Sequence, residues 1–248
     1  MRHRLAASLL LLVALFASGV ARACDPVAAK LTGIVTVYEG RVGPYPVRVG
    51  LQFAPGGAVA GRYGYAGSAG TIRLAGQLAG GQAMTLTEFG GARGAVSGRF
   101  AGTLSDTKAG PCAMFAGTWI RASGQKTLPV RLQVSDSSFR NLAYYTSPKA
   151  LRIERAAVAL RAAILAGNRA AVIAAVRYPV FVAVGHARMH LASPAALRAR
   201  YDMIFTPGFL ARIRGDVPHM MFLRDQGTML GGGEIWFGDD GRAISIIN

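Results

Sequence analysis

The chain has 248 residues and a formal net charge of +16, with 28 basic and 12 acidic side chains. This length is sufficient for one large or two small domains with proper cores. Beyond the N-terminal segment, no apolar run approaches the roughly 18 residues that a membrane-spanning helix needs, which predicts no transmembrane segment in the mature protein.

The N-terminal segment has the three parts of an export signal. Met1–Arg4 is basic, and Leu5–Phe16 is apolar apart from one serine. Ala21 and Ala23 then supply the small residues that precede a signal-peptidase cut. These features predict a signal peptide over residues 1–23, cleaved after Ala23, and a periplasmic or secreted protein.

Export decides how the two cysteines, Cys24 and Cys112, are interpreted. In an oxidising compartment they allow one intramolecular disulfide, which is the pairing we expect. The alternatives are two free thiols, or a lipoprotein in which Cys24 is the lipid-bearing first residue. Arg22 makes the lipoprotein a poor match, because small and aliphatic residues normally precede such a cysteine.

The positive charge suggests an anionic partner. Three features argue against nucleic acid: the chain is exported, its charge is spread over both halves, and it has no run of basic residues interleaved with aromatics. An anionic envelope component, such as lipopolysaccharide or an acidic glycan, is compatible with the charge. A solvated basic surface without a specific partner is the simpler interpretation.

Residues 24–135 predict an antiparallel β domain, either a small barrel or a strongly curved sheet. Most glycines of the chain lie here, and short alternating stretches separate glycine turns. Eight strands at this spacing are typical of a meander. The predicted strands are 33–38, 46–53, 59–65, 71–78, 83–88, 95–103, 113–120 and 128–134.

Glycines two positions before an aromatic residue recur in this domain. They occur in Gly61-Arg62-Tyr63, Gly98-Arg99-Phe100 and Gly117-Thr118-Trp119. A glycine lets a neighbouring ring lie flat over bare backbone, so the pattern indicates packing within the sheet. The alternative is an aromatic platform for a glycan, made of Tyr63, Tyr65 and Trp119.

Residues 136–147 read as a linker, after which the pattern becomes helical. Ser147-Pro148, Ser193-Pro194 and Thr206-Pro207 each place a capping hydroxyl before a proline, which predicts three helix starts. The first helix has an apolar stripe with three arginines off it; the stripe is Ile153, Ala157, Leu160 and Ile164, and the arginines are Arg152, Arg155 and Arg161. The later predicted elements are helices at 168–176, 194–205 and 207–214, and strands at 180–184, 219–224, 228–230, 234–237 and 242–248.

This order of elements in residues 148–248 resembles the cone-shaped NTF2-like α+β fold. The residues of the resemblance are Arg177-Tyr178-Pro179-Val180, Leu197–Phe205, Gly233-Glu234-Ile235-Trp236-Phe237 and the final Ile246-Ile247-Asn248. They are similar to uncharacterised exported bacterial proteins with NTF2-like C-terminal regions. The fold does not choose among isomerases, hydrolases and binding modules.

The resemblance implies a pocket between the long helix and the sheet, faced by Tyr178, Tyr201, Asp202, Glu234 and Trp236. In an enzyme of this class, Asp202 or Glu234 would act as a base and Tyr178 or Tyr201 would stabilise an oxyanion. Alternatively the carboxylates pair with arginines while Tyr201 and Trp236 pack. The resemblance also implies a homodimer through the exposed sheet face.

Other chemical motifs are weak. His186 and His190 have helical zinc spacing but follow a strand-like run, so we expect no metal site and no cofactor. The chain has no Gly-x-Ser-x-Gly motif, and Gly231-Gly232-Gly233 reads as a turn between strands. The sequence therefore favours an exported, non-catalytic protein that binds a protein partner or an envelope component. The alternative is a small-molecule enzyme that uses the cone pocket.

Overall fold

The computed structural model describes residues 24–248 except 139 and 225. The predicted signal peptide lies outside the described residues. The first half of the described chain is a closed barrel in which each strand is antiparallel to the next and the last pairs with the first. The strands are β1 (Val35–Val42), β2 (Tyr45–Phe53), β3 (Ala58–Tyr65), β4 (Ile72–Ala79), β5 (Ala83–Phe89), β6 (Gly98–Thr107), β7 (Gly110–Arg121) and β8 (Thr127–Ser138).

Strand alternation gives the barrel an inner and an outer face. On β2, Val47, Val49, Leu51 and Phe53 point inward and join a core that also holds Phe100. The predicted antiparallel eight-strand domain is therefore confirmed as a barrel. The strand β8 extends to Ser138, into the segment that the sequence assigns to a linker.

Cys24 and Cys112 form a disulfide, as predicted, with their Cα atoms 4.8 Å apart. It connects the start of the described chain to β7 across 88 residues. Both side chains are fully buried in the barrel core. Cys24 is therefore disulfide-bonded in the structure, and not a free thiol.

The second half is an α+β unit. Its helices are α1 (Leu142–Tyr145), α2 (Pro148–Leu165), α3 (Arg169–Ala174), α4 (Pro194–Ala199), α5 (Tyr201–Ile204) and α6 (Pro207–Gly215). Ser147, Ser193 and Thr206 each accept a hydrogen bond from the amide three residues later, so the three predicted caps are confirmed. The helix predicted over 194–205 is divided at Arg200, which lies between α4 and α5.

A six-stranded sheet completes this unit, in the order β10-β9-β14-β13-β12-β11. Its strands are β9 (Val176–Val184), β10 (Ala187–Leu191), β11 (Phe222–Arg224), β12 (Gly227–Leu230), β13 (Ile235–Phe237) and β14 (Ala243–Ile247). Neighbouring strands are antiparallel except for β9 and β14, which are parallel. The apolar faces of α2, α4 and α6 pack on one side of the sheet in a continuous core.

The outer face of β1 and β2 joins the two units. Val35 and Val37 point out of the barrel and pack with Tyr145 and Met220 of the second unit. Further along β1 the outward residues become Glu39 and Arg41, so the apolar contact gives way to a polar opening. Among the described helices, none is long and apolar enough to cross a membrane.

Candidate functional site

A cleft of about 760 Å³ lies at this polar opening, between the barrel and the α+β unit. We call it the interdomain cleft. One wall comes from the outer face of β1, β2 and β8, and the other from the residues after α6, from β11 and β12 and from the turn after β12. Its charged lining residues are Glu39, Arg41, Arg48, Asp136 and Asp216.

The barrel wall of the cleft holds a cross-strand ion pair. Glu39 of β1 is the direct partner of Arg48 on β2, and Arg48 Nε lies 3.1 Å from Glu39 Oε1. The side chain of Arg48 is only 4% exposed, whereas that of Glu39 is 50% exposed. Burying a guanidinium requires a counter-charge, and Glu39 supplies it. The two charges of this pair therefore cancel.

Asp216 is the main charged group of the opposite wall. It caps the C-terminus of α6, where the helix dipole disfavours negative charge. Burial and the neighbouring Glu234 carboxylate raise the pKa of Asp216 from its ordinary 3.8 to about 6, although Arg161 partly opposes this. Its Oδ2 is buried and has no hydrogen-bond partner among the described residues. Folding therefore holds a carboxylate at the cleft at a cost in free energy.

A glycine turn makes room for this carboxylate. Gly231 has φ of +64°, and a Cβ on it would lie 2.3 Å from Asp216 Oδ2. Only glycine combines this conformation with so close an approach. The glycine triplet is thus a turn between strands, as the sequence predicted, and it also shapes the wall of the cleft.

Glu234, a predicted catalytic candidate, lies beside the cleft rather than in an enclosed pocket. Its Oε1 accepts a hydrogen bond of 3.0 Å from Arg212 Nε, and its side chain is 11% exposed. Arg212 also donates to the side chain of Asn248 at 2.8 Å. The negative charge of Glu234 is therefore largely neutralised within the α+β unit.

The other residues of the predicted cone pocket are placed differently. Asp202 is exposed and pairs with Arg169, whose guanidinium also lies over the ring of Tyr201, 4.7 Å from its centroid. Tyr201 and Tyr178 belong to the packed core between helices and sheet, and the Tyr178 hydroxyl donates to the carbonyl of Ile173 at 3.1 Å. These contacts favour ion pairing and packing over catalysis for Asp202, Tyr178 and Tyr201.

Trp236 lies on the face of the sheet away from the helices. It lines a shallow groove of about 360 Å³ with Phe181, Ile244 and Ile247. Strand alternation explains this position, because Ile235 and Phe237 on either side are buried in the core beneath the helices. Trp236 is therefore separated by the sheet from Tyr178 and Tyr201, with which the resemblance grouped it.

Tyr63, Tyr65 and Trp119 do come together, but inside the barrel around Glu88. The Tyr63 hydroxyl and Trp119 Nε1 donate to Glu88 Oε2 at 2.6 and 2.5 Å. Ser97 Oγ donates to Glu88 Oε1 at 2.6 Å, and the Tyr65 hydroxyl lies 3.2 Å from that of Tyr63. A glycan platform needs accessible ring faces, and the burial of Tyr63 and Trp119 favours the packing interpretation.

A second buried network crosses the interface between the units. His219 is fully buried; its Nε2 lies 3.0 Å from Ser68 Oγ and its Nδ1 2.9 Å from Glu154 Oε1. We call these three residues the interdomain chain. The ring packs directly on Gly64, where a Cβ would lie 2.3 Å from His219 Cδ2.

The interdomain chain contains a serine, a histidine and a carboxylate in the same order as a serine-hydrolase triad. In a triad, however, the histidine nitrogen next to the serine carries no hydrogen and can accept the serine proton. His219 Nε2 also lies 3.1 Å from the carbonyl oxygen of Ser68, which can only accept, so Nε2 carries a hydrogen. Ser68 Oγ is itself in contact with the backbone carbonyls of Tyr65 and Gly70. These contacts indicate a connection between the two units, not a nucleophile and its base.

Sequence reasoning did not identify the residues that build these networks. Glu154 and Asp216 carry no local motif, since His219 and Glu234, which act on them, are distant in sequence. Arg48 and Glu39 face each other only across the β1–β2 hairpin. The sequence places Arg161 off the apolar stripe of α2, yet it is buried and donates to the carbonyls of Ile213, Arg214 and Ala66. The described residues contain no group of three potential metal ligands, and His186 and His190 are exposed.

Comparison of the chain with protein-family models, with curated proteins and with solved structures gives no match. Function is therefore inferred from the geometry of the interdomain cleft and its charges.

Proposed function

We propose that this chain is an exported binding protein of the bacterial envelope, and that its ligand site is the interdomain cleft. The observation that carries the proposal is the Asp216 carboxylate. It is partly buried at the wall of an open cleft, its Oδ2 has no hydrogen-bond partner among the described residues, and none of their ion pairs includes it. A carboxylate in this position can still accept hydrogen bonds from a ligand.

The α+β unit serves in this proposal as the rigid second wall. The run of helices followed by hairpins, together with the one parallel strand pair, supports an NTF2-like assignment. The space in which that assignment places a pocket is occupied by apolar side chains such as Leu160, Tyr201 and Phe209. This packing favours binding between the units over chemistry within the cone, which was the alternative function.

Export and a further partner belong to the same proposal. The N-terminal signal pattern and the buried disulfide support a periplasmic or secreted location. A protein partner or an anionic envelope component would meet the basic outer surface of the molecule, and a homodimer would use the sheet face that carries Trp236.

A native mass spectrum of the mature protein purified from periplasm tests the cleft. We expect a retained small ligand in the wild type and its loss in Gly232→Phe, which places a ring in the cleft from a position where a Cβ meets only ordinary contacts. Gly70→Phe is the matched control, since Gly70 is exposed, has open space around it and lies outside the cleft. Equal ligand retention in Gly232→Phe would refute the assignment of the cleft as the site.

A further inference from the structure

The charges around the interdomain cleft differ in sign from those of the molecule as a whole. The chain has 28 basic and 12 acidic residues, yet three acidic residues (Glu39, Asp136 and Asp216) and only two basic ones (Arg41 and Arg48) line the cleft. Glu234 borders it. The lining of the cleft is therefore slightly acidic on a basic protein.

Pairing the charges identifies the one that remains. Arg48 is opposite Glu39 and Arg212 is opposite Glu234, so each of these pairs is neutral. Asp136 has an interaction partner of its own, and Arg41 donates to the carbonyl oxygen of Pro44. None of the ion pairs among the described residues includes Asp216, although the guanidinium groups of Arg161 and Arg48 are near enough to lower its pKa. Its Oδ2 is buried against Gly231, where the described protein offers it no donor.

The chemistry of an ionised carboxylate decides what complements it. It accepts hydrogen bonds and donates none, and a partly buried carboxylate gains most from a donor that also carries positive charge. An ammonium group has three donors and no acceptor, and it is a compact point charge. A metal ion would need further ligands, which the described residues do not group together here.

We propose that the interdomain cleft binds a ligand with a protonated amine, and that Asp216 is its anchoring residue. This inference rests on the proposed function, because it names the class of ligand for the same cleft. Arg48 and Glu39 form a neutral ion pair on the opposite wall, which also carries Arg41 and Asp136. Glu234 adds a second, partly neutralised carboxylate close to Asp216. The volume of about 760 Å³ accommodates an extended aliphatic amine rather than ammonium alone.

The affinity of the cleft for an amine should decrease as the pH falls. Since the pKa of Asp216 is raised to about 6, its carboxyl is ionised at pH 7.5 and largely protonated at pH 5. A protonated carboxyl loses its charge attraction for the amine. Binding should therefore weaken as the pH falls from 7.5 to 5, while the aliphatic amine itself remains protonated throughout.

Isothermal titration of the mature, oxidised protein tests this inference with three probes of equal chain length. They are 1,5-diaminopentane, its neutral N,N′-diacetyl derivative and the dianion glutarate. We expect only the diamine to bind, with a Kd at least tenfold weaker in Asp216→Asn and at pH 5. Asp240→Asn, which changes an exposed carboxylate outside the cleft, is the matched control and should bind as the wild type does.

Each contrary result overturns the amine assignment. These results are no binding of the diamine, equal binding by Asp216→Asn, or binding of the neutral or anionic probe in its place. The folded state of Asp216→Asn is checked by its thermal transition. The native mass spectra of the wild type and of Gly232→Phe separately test whether the cleft is the ligand site. A ligand retained by the wild type and lost in Gly232→Phe, without diamine binding, would refute the ligand class but not the binding function.

Discussion

Asp216 shows how one residue links function and stability in this molecule. Its carboxyl is ionised at neutral pH, but burial and Glu234 make that ionisation unfavourable in the folded state. Between its ordinary pKa of 3.8 and about 6, the folded protein binds more protons at this group than the unfolded chain does. The contribution of Asp216 to stability therefore falls as the pH rises through this range.

Replacing Asp216 by Asn should accordingly raise the thermal transition at pH 7.5, because the amide carries no charge to bury. The gain should shrink as the pH falls and be nearly absent at pH 3, which lies below both the ordinary pKa of 3.8 and the raised value of about 6. Scanning calorimetry of both proteins at the two pH values measures the difference. A gain that does not depend on pH, or a loss of stability at pH 7.5, would show that ionisation is not the cause.

The barrel also contains a buried carboxyl group, that of Glu88, but unlike Asp216 it receives hydrogen bonds from its neighbours. It is 4% exposed and receives hydrogen bonds from Tyr63, Trp119 and Ser97. Burial is the main cause of the raised pKa of Tyr63, whose neutral hydroxyl acts here as a donor. The network explains why a carboxylate is tolerated inside an apolar barrel.

Substituting Glu88 by Gln should destabilise the protein by about 2 kcal/mol. The amide NH2 group would replace a carboxylate oxygen that now accepts hydrogen bonds, so that donors would point at each other. Urea unfolding followed by tryptophan fluorescence is the appropriate measurement, since Trp119 reports on the site. Glu39→Gln is a useful comparison, because Glu39 is half exposed and its loss affects mainly Arg48. If Glu88→Gln unfolds at the same urea concentration as the wild type, the network contributes nothing to stability.

At the scale of elements, α2 connects most of the molecule. One face packs on the sheet through Ile153, Leu160 and Ile164. The same helix also presents Glu154 to His219 and Arg161 to the C-terminal carbonyls of α6. Cations near the last turn of a helix satisfy its free carbonyls and interact favourably with its dipole. Arg161 therefore holds α2, α6 and the barrel loop at Ala66 together.

Arg161→Met should destabilise the chain by about 2–4 kcal/mol, because three hydrogen bonds from a charged group are lost while the apolar stem is kept. Arg155→Met is the matched control on the exposed side of α2 and should change stability by less than about 0.5 kcal/mol. Both are measured by urea unfolding. Equal stabilities of the two variants would mean that the contacts of Arg161 do not hold the units together.

For the whole molecule, the relative position of the two units creates the cleft, and a small set of contacts determines that position. The apolar contact of Val35 and Val37 with Met220 forms one part. The interdomain chain forms another, with the Glu154 carboxylate also accepting from the amide of Met220 at 3.4 Å. Changes at this interface should therefore affect ligand binding in the cleft without touching a cleft residue.

His219→Ala should cost about 3 kcal/mol or more, because it removes the buried ring that contacts both Ser68 and the Glu154 carboxylate. Ser68→Ala should cost only about 1 kcal/mol, since the Ser68 carbonyl remains available to the histidine. Urea unfolding measures both, and limited proteolysis reports separation of the two units. A reversed order, or covalent labelling of Ser68 by a fluorophosphonate, would contradict the structural role assigned to this chain.

The sequence by itself determined the elements of this protein, because they depend on short-range patterns. Glycine turns and strand alternation predicted the eight strands of the barrel, and hydroxyl–proline pairs predicted the starts of α2, α4 and α6. The two cysteines, once assigned to an oxidising compartment, allowed only one intramolecular pairing. Each of these signals lies within a few residues of what it specifies or has a single possible partner.

Only the tertiary structure decided which polar residues act together. Arg48 and Asp216 are 168 positions apart in the numbering, and nothing near either residue indicates that they face the same cleft. Trp236 and Tyr201 were grouped by resemblance, but strand alternation and helix packing place them on different sides of the sheet. The protonation of Asp216 likewise depends on burial and on Glu234, and both arise only when the chain packs against itself.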